Sequence, residues 1–234
     1  MAKYSFDELR QIIKTLRSEN GCPWDKEQTH ESLKPCMMEE AAEVAASIRI
    51  YKETGDDTNL CEELGDVLLQ VFLHSQIAEE ENRFTIDDVI DGISEKMIRR
   101  HPHVFGDTNV KNSLQVIERW EDIKKKEKEK QTWLTSPLRD IPIELPALTR
   151  TQKVLKKADE VYHISQDLKE TIDNIRQKLD ELEVQNIQGD ESDARRIGGL
   201  LLDCVNLAKL SKIHSEEALV DNLEQLISSI EGKN

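Results

Sequence analysis

Apolar residues recur at helical spacing along most of the chain, and short polar breaks divide them into separate segments. Five apolar residues of the first segment fall on one face of a helix: Phe6, Leu9, Ile12, Ile13 and Leu16. The same spacing predicts helices over about 6–18, 29–54, 59–82, 85–100 and 113–130. Ser5 and Thr85 have the sequence pattern of helix N-caps, and residues 19–25 and 103–112 are expected to form turns or loops. An aromatic content of only 4% also favours an all-α helical bundle over a β-sandwich or barrel.

Three of the six prolines lie within residues 131–147, which predicts a linker between two helical regions. Helical periodicity resumes at about Leu148, with a further break near 186–193. The segment beginning at Leu64 resembles the segment beginning at Ile197, at an offset of 133 residues. We therefore predict one helical domain over 1–130, a linker over 131–147, and a second copy of the same unit over 148–234.

The chain is acidic, with 32 Lys and Arg against 47 Asp and Glu and a net charge of −15. Such a chain lacks the broad basic surface that neutralises nucleic-acid phosphates. Its apolar runs are shorter than a membrane span requires, and its first residues do not resemble a secretory signal. The four cysteines show no CxxC spacing. These features predict a cytoplasmic protein that binds neither nucleic acid nor membranes.

Acidic residues are concentrated on two consecutive predicted helices, and they have a regular spacing. They are Glu39, Glu40 and Glu43 on one helix and Glu63 and Asp66 on the next. Because residues three or four apart share a helix face, carboxylates from the two helices converge if the helices pair antiparallel across Gly55. Mg²⁺ prefers oxygen ligands and would relieve the repulsion between these groups. The alternative interpretation is a solvated acidic surface.

A second polar cluster lies on the helix predicted for 85–100. Lys96 and Arg100 are one turn apart, a geometry suited to binding phosphate oxygens. Basic residues are also favoured there by the helix dipole alone. Trp120 is flanked by charged residues and is a candidate for stacking on a base, although a tryptophan in the core is the simpler interpretation.

Three sequence motifs together resemble the MazG nucleoside triphosphate pyrophosphohydrolases. They are the acidic EExxE…ExxD pattern at 39–66, the segment 20–29 (NGCPWDKEQT) and the segment 99–105 (RRHPHVF). The similarity extends through about residues 8–128 and continues weakly towards the C-terminus. It implies an all-α fold that assembles as a homodimer. It also implies Mg²⁺-dependent hydrolysis of a nucleoside triphosphate to the monophosphate and pyrophosphate, with Mn²⁺ as a possible substitute for Mg²⁺.

The resemblance also implies roles for individual residues. Glu40, Glu43, Glu63 and Asp66 match the metal ligands of the family, and Glu39 matches a residue that supports the ligands or positions the attacking water. Lys96 and Arg100 would contact phosphates, and Trp120 would lie against the base. These eight residues are the predicted site.

The second copy departs from this pattern at four of the acidic positions. Gln177 and Lys178 stand where the first two acids belong, and Arg196 and Gly199 stand where the ExxD pair belongs. Only Glu181 keeps its carboxylate. Because cationic side chains repel a metal ion, we expect the second copy to be catalytically inactive.

Two other functions are compatible with the sequence. The chain could be a non-catalytic module that binds nucleotide or dimerises in a regulatory role. It could also be an enzyme restricted to dUTP or to a phosphoribosyl nucleotide. Trp120 and the lack of an obvious polar pocket for a base favour broad base specificity. The intact acidic set in the first copy favours an enzyme over a regulatory module.

Overall fold

In a computed structural model of the chain, the residues described are 3–106, 112–128, 136–164, 166–184 and 187–232. These ranges contain helices and turns and no β-strand, which confirms the predicted all-α fold. The helices are α1 (Phe6–Leu16), α2 (Pro23–Glu27), α3 (His30–Thr54), α4 (Thr58–Glu80), α5 (Ile86–Arg100), α6 (Pro102–Phe105), α7 (Ser113–Lys128), α8 (Ala147–Tyr162), α9 (Leu168–Val184), α10 (Glu191–Leu210) and α11 (Ser215–Glu231).

The chain divides into two compact units, residues 1–125 and 126–234. In the first unit, α4 is the central helix, and α1, α3 and α5 all pack against it. The buried core consists of six apolar side chains: Ile13, Leu33, Phe72, Leu73, Ile77 and Ile86. Three of these belong to α4, so burial of apolar surface fixes the rotation of α4 about its own axis.

Three helices of the first unit, α1, α3 and α5, begin at a residue whose side chain caps the helix. Ser5, Thr29 and Thr85 each form a capping box, in which the side chain accepts a hydrogen bond from the third helical residue's N–H. Gly55 ends α3 with a positive φ of 76°, and its N–H donates to the Tyr51 carbonyl oxygen at 2.8 Å. This left-handed residue reverses the chain, so that α4 returns along α3.

Two predicted loops are partly helical. Residues 19–25 were expected to form a turn, but Pro23–Glu27 form α2, because proline suits the first position of a helix. The loop predicted for 103–112 is wrong at its start, where Pro102–Phe105 form α6. Gly21 is required in the tight turn before α2, since a Cβ there would lie 2.2 Å from the Leu16 carbonyl oxygen.

A buried arginine ties the N-terminal helices of the first unit together. Arg17 is only 8% exposed and pairs with Glu80 of α4 at 2.8 Å. Its guanidinium also donates to the carbonyl oxygens of Asp25 and Gln28, which precede α3. A separate contact joins α3 to α4, where the Nδ1 atoms of His30 and His74 lie 2.8 Å apart. One ring must donate and the other accept, so this contact requires at least one neutral imidazole.

The second unit has α10 at its centre, with α8, α9 and α11 packed against it. Its buried positions are more polar than those of the first unit. Asn206 of α10 donates to the Thr171 hydroxyl of α9 at 3.1 Å, and Asp193 and Asp203 of α10 are 2% and 5% exposed. Its helix order parallels that of the first unit, since α9 pairs with α10 as α3 pairs with α4. The two-copy relationship and the domain boundaries predicted at 130 and 147 stay predictions.

Candidate metal centre

The antiparallel helices α3 and α4 bring together three of the predicted acidic residues. Glu40 and Glu43 lie one turn apart on α3, and Glu63 lies across from them on α4. One carboxylate oxygen from each lies within 4.8 Å of the other two. We call Glu40, Glu43 and Glu63 the carboxylate cluster. The convergence expected from the spacing is therefore present for these three residues.

Repulsion within the carboxylate cluster affects the pKa of Glu43. The neighbouring Glu63 carboxylate raises the pKa of Glu43 above its ordinary value, and burial and Glu40 act in the same direction. Glu40 and Glu63 are half-buried, whereas Glu43 is exposed. A site of three hard oxygen donors that repel one another, open to solvent on one side, suits a divalent cation that keeps water in its shell.

Two amide side chains that the sequence analysis missed contact the carboxylate cluster. Asn59 donates from Nδ2 to the Glu63 Oε1 atom at 2.8 Å. Gln70 lies 3.5 Å, Nε2 to Oε1, from Glu40. The signal that could have found them is helical spacing, because Asn59 is one turn before Glu63 and Gln70 is one turn after Asp66 on the same helix.

The other acids of the motif occupy different positions. Asp66 is half-buried on α4, one turn beyond Glu63, and it is not part of the carboxylate cluster. Glu39 is exposed on α3 beside Glu40. Their predicted roles, as a fourth metal ligand and as a residue supporting the ligands or the attacking water, stay predictions.

The predicted substrate-binding residues lie on two further helices. Lys96 and Arg100 are half-buried and one turn apart in the second half of α5. Trp120 lies on α7 with 38% of its surface exposed, and the Lys124 ammonium is 5.4 Å from the centre of its ring. Contact of Lys96 and Arg100 with phosphates, and of Trp120 with a base, stays predicted.

In the second unit, a lysine and an aspartate occupy the corresponding part of the helix pair. The Lys178 ammonium on α9 contacts the Asp203 carboxylate on α10 at 2.6 Å and the Gly199 carbonyl oxygen at 3.1 Å. We call this the Lys178–Asp203 pair. A Cβ on Gly199 would lie 3.5 Å from the same ammonium, so the cation stands beside the position matched to Asp66.

The remaining counterparts in the second unit are also bonded within the chain. Arg196, at the position matched to Glu63, forms an ion pair with Asp193. Gln177 donates to the Glu181 carboxylate at 2.9 Å. The backbone N–H of Gln188, together with that of Gly189 and the charge of Arg196, lowers the pKa of Asp193 below its ordinary value.

Comparison with known proteins agrees with this geometry. Residues 28–105, which contain the whole carboxylate cluster, match the MazG nucleotide pyrophosphohydrolase domain. The chain is 42% identical over 218 residues to the "Nucleoside triphosphate pyrophosphohydrolase/pyrophosphatase MazG" of Thermotoga maritima, covering 92% of this chain and 79% of that protein. The chain belongs to the MazG family.

Two other relatives show how far the similarity extends. The "Nucleoside triphosphate pyrophosphohydrolase" of Escherichia coli K12 is 42% identical over 217 residues, which cover 91% of this chain and 81% of that protein. The "Uncharacterized protein YabN" of Bacillus subtilis is 54% identical over 153 residues, covering 65% of this chain but only 30% of YabN. Within the described residues, no helix is both long enough and apolar enough to cross a membrane.

Proposed function

We propose that the first unit is a Mg²⁺-dependent nucleoside triphosphate pyrophosphohydrolase with broad base specificity, acting on ribo- and deoxyribonucleotides. The observation that carries the proposal is the convergence of Glu40, Glu43 and Glu63 to within 4.8 Å of one another. The names of the two relatives that are 42% identical support the same activity. The carboxylate cluster lies on the helix pair α3–α4 of the first unit, and the similarity to the two relatives covers a region that includes this pair.

In this proposal the carboxylate cluster, with Asp66, holds the cation. Mg²⁺, when bound, neutralises charge on the triphosphate and makes a bound water more acidic, and Mn²⁺ would serve as a substitute. Glu39 accepts a hydrogen bond from the attacking water or supports the metal ligands. Lys96 and Arg100 donate to phosphate oxygens and hold the leaving group. The residues thus contribute mainly positioning and electrostatic stabilisation.

The proposed reaction is hydrolysis at the α-phosphorus. The oxygen of water bonds to the α-phosphorus, the bond from this phosphorus to the bridging oxygen breaks, and pyrophosphate leaves with that oxygen. The water's protons pass to the carboxylates and to solvent. Trp120 lies against the base, and a flat aromatic surface accepts every base, which supports broad specificity.

The setting of this activity is also part of the proposal. We propose a homodimer in which the second unit is inactive and structural, because Lys178 and Arg196 place positive charge at two of its acidic positions. A cytoplasmic location is supported by the four cysteines, all of which are free thiols.

The deciding experiment measures pyrophosphate and nucleoside monophosphate release from a panel of NTPs and dNTPs with Mg²⁺. Glu43→Gln should lower turnover by roughly 100-fold or more, because the site loses a charged ligand. Glu181→Gln is the matched control, since it makes the same change at the corresponding position of the second unit. We expect it to leave turnover unchanged within about twofold.

Two results would contradict the proposal. Tight nucleotide binding without pyrophosphate release by the wild type would indicate a regulatory module instead. Equal loss of activity in Glu43→Gln and Glu181→Gln would mean that the second unit also contributes to catalysis.

A further inference from the structure

Gln70 is an unusual residue to find in the central helix of the first unit. It is 4% exposed, and it lies just before the part of α4 that supplies half of the core residues. Its Nε2 atom faces the Glu40 carboxylate at 3.5 Å. Its Oε1 atom is buried and has no hydrogen-bond partner among the described residues. An unpaired buried acceptor is destabilising, so packing alone does not account for an amide at this position.

The position of Gln70 on α4 connects it with the carboxylate cluster. Gln70 follows Glu63 by two helical turns and Asp66 by one, so all three lie along the same side of α4. Glu40 approaches this side from α3. The amide therefore lies beneath Glu40, at the buried end of the cluster, whereas the exposed Glu43 faces solvent.

The second unit repeats this contact with different chemistry. Asp203 lies one turn after Gly199, as Gln70 lies one turn after Asp66, and it is 5% exposed. It binds Lys178, the residue at the position matched to Glu40. Both units thus place a buried polar side chain of the central helix against the same position of the neighbouring helix. In each case that side chain complements its partner: an amide donor faces a carboxylate, and a carboxylate faces an ammonium.

We infer that Gln70 is a positioning residue for the proposed metal site, acting through Glu40. Donation from Nε2 holds one Glu40 oxygen and limits the rotation of the carboxylate, so that Glu40 is oriented towards Glu43 and Glu63 before a cation binds. The buried Oε1 would remain free to accept a hydrogen bond from a water molecule. Residues that orient metal ligands in this way typically change metal affinity 10- to 100-fold when replaced. This inference rests on the proposed function.

The test is Mn²⁺ binding to the full-length protein without nucleotide, followed by electron paramagnetic resonance of the free ion. Gln70→Met keeps the length of the side chain and removes the donor. We expect it to weaken Mn²⁺ binding by about 10-fold or more. Gln76→Met is the matched control, because Gln76 is also a buried α4 glutamine, bonded at 3.1 Å to Glu80 outside the cluster. It should change Mn²⁺ affinity by less than about twofold.

A double-variant comparison separates positioning from a general structural effect. If Gln70 acts through Glu40, Gln70→Met should have almost no effect on Mn²⁺ affinity in a Glu40→Gln background. Equal weakening in both backgrounds would overturn the inference. If Gln70→Met does not fold, Gln70→Asn serves the same purpose, because it retains the amide but withdraws it by one methylene group.

The outcomes distinguish this inference from the proposed function. A wild-type protein that binds Mn²⁺ but releases no pyrophosphate would refute the activity and leave the Gln70 comparison intact. A wild-type protein that binds no Mn²⁺, or a Gln70→Met variant with unchanged affinity, would refute the role of Gln70.

Discussion

Each unit contains a pair of packed helices, α3–α4 in the first and α9–α10 in the second, and the two pairs differ in the charges that face each other. In α3–α4 three carboxylates face one another within 4.8 Å. In α9–α10 the Lys178 ammonium lies between the Asp203 carboxylate and the Gly199 carbonyl oxygen. The second pair therefore contains a positive charge opposite a carboxylate, whereas in the first pair three carboxylates face one another. The comparison indicates that a pair of packed helices can carry either unneutralised carboxylates or an internal ion pair, depending on the residues at its facing positions.

The largest effect is expected when a lysine is introduced into the first unit at Glu40, the position that corresponds to Lys178 of the second unit. Glu40→Lys should reduce pyrophosphate release by at least about 100-fold, because an ammonium repels the metal ion from its site. The thermal midpoint should not fall, since the substitution removes one carboxylate and its positive charge offsets the repulsion between Glu43 and Glu63. Adding Gln70→Asp should reproduce the Lys178–Asp203 pair and stabilise the first unit further.

Glu53→Lys is the control for this change of charge, because Glu53 is exposed near the end of α3. Its activity should stay within about twofold of the wild type. A Glu40→Lys variant that keeps full activity would show that the cluster does not bind the catalytic metal.

A divalent cation should stabilise the two units unequally. At a Mn²⁺ concentration 100 times its dissociation constant, the gain in the free energy of unfolding is about 2.7 kcal/mol. Hydrogen exchange followed by mass spectrometry should show slower exchange in α3 and α4 and no change in α9 and α10. Equal protection of both helix pairs would contradict the comparison.

Replacing Lys178 with an uncharged residue should destabilise the second unit. Lys178→Met leaves the buried Asp203 carboxylate without its partner, which should lower the free energy of unfolding by about 2 kcal/mol. Adding Asp203→Leu should recover most of this loss, because an apolar pair replaces the ion pair. Hydrogen exchange in α9 and α10 reports the effect, and Lys169→Met, at an exposed position of α9, is the control. A Lys178→Met variant as stable as the control would refute the role of the pair.

The smallest expected difference between the two units is the pH at which each begins to lose stability. Burial, together with the nearby His30, lowers the pKa of His74 below its ordinary value. The unfolded chain therefore binds this proton more readily, and the first unit loses stability as the pH falls through about 6.5. Because the pKa of Asp193 is also lowered, the corresponding loss in the second unit begins only as the pH falls below about 4.

NMR spectra recorded along an acid titration can separate these two transitions. His74→Gln removes the titrating group while retaining a side chain that can hydrogen-bond to His30. It should flatten the first unit's response near pH 6 and leave that of the second unit unchanged. A transition in the second unit at the higher pH would contradict the assignment.

The sequence predicted the parts of the site that depend on one helix at a time. Helical spacing placed Glu40 beside Glu43, and the capping residues Ser5 and Thr85 fixed two helix starts to within a residue. Gly55 indicated the reversal that brings Glu63 across. The role of Asp66 as a fourth ligand stays a prediction, because it depends on the orientation of its side chain and not on helical spacing alone.

Apart from the convergence of Glu40, Glu43 and Glu63, the sequence patterns did not predict which side chains on neighbouring helices contact one another. Lys178 was recognised as incompatible with a metal ion, but its pairing with Asp203 was not foreseen. The offset of 133 residues does align Asp203 with Gln70, so the signal was present in the repeat. The sequence of one helix does not show which of its polar residues are buried, because burial depends on the neighbouring helix.

The short connection at Gly55 has a consequence for the order of folding events. The carboxylate cluster and Gln70 all belong to one helical hairpin, so their contacts close a short loop and can form early. Carboxylate repulsion then slows an early step of folding, in addition to lowering the stability of the folded state. We expect Mn²⁺ present during refolding to speed the formation of the first unit. The loading of the site and the assembly of its two helices would then be a single kinetic event.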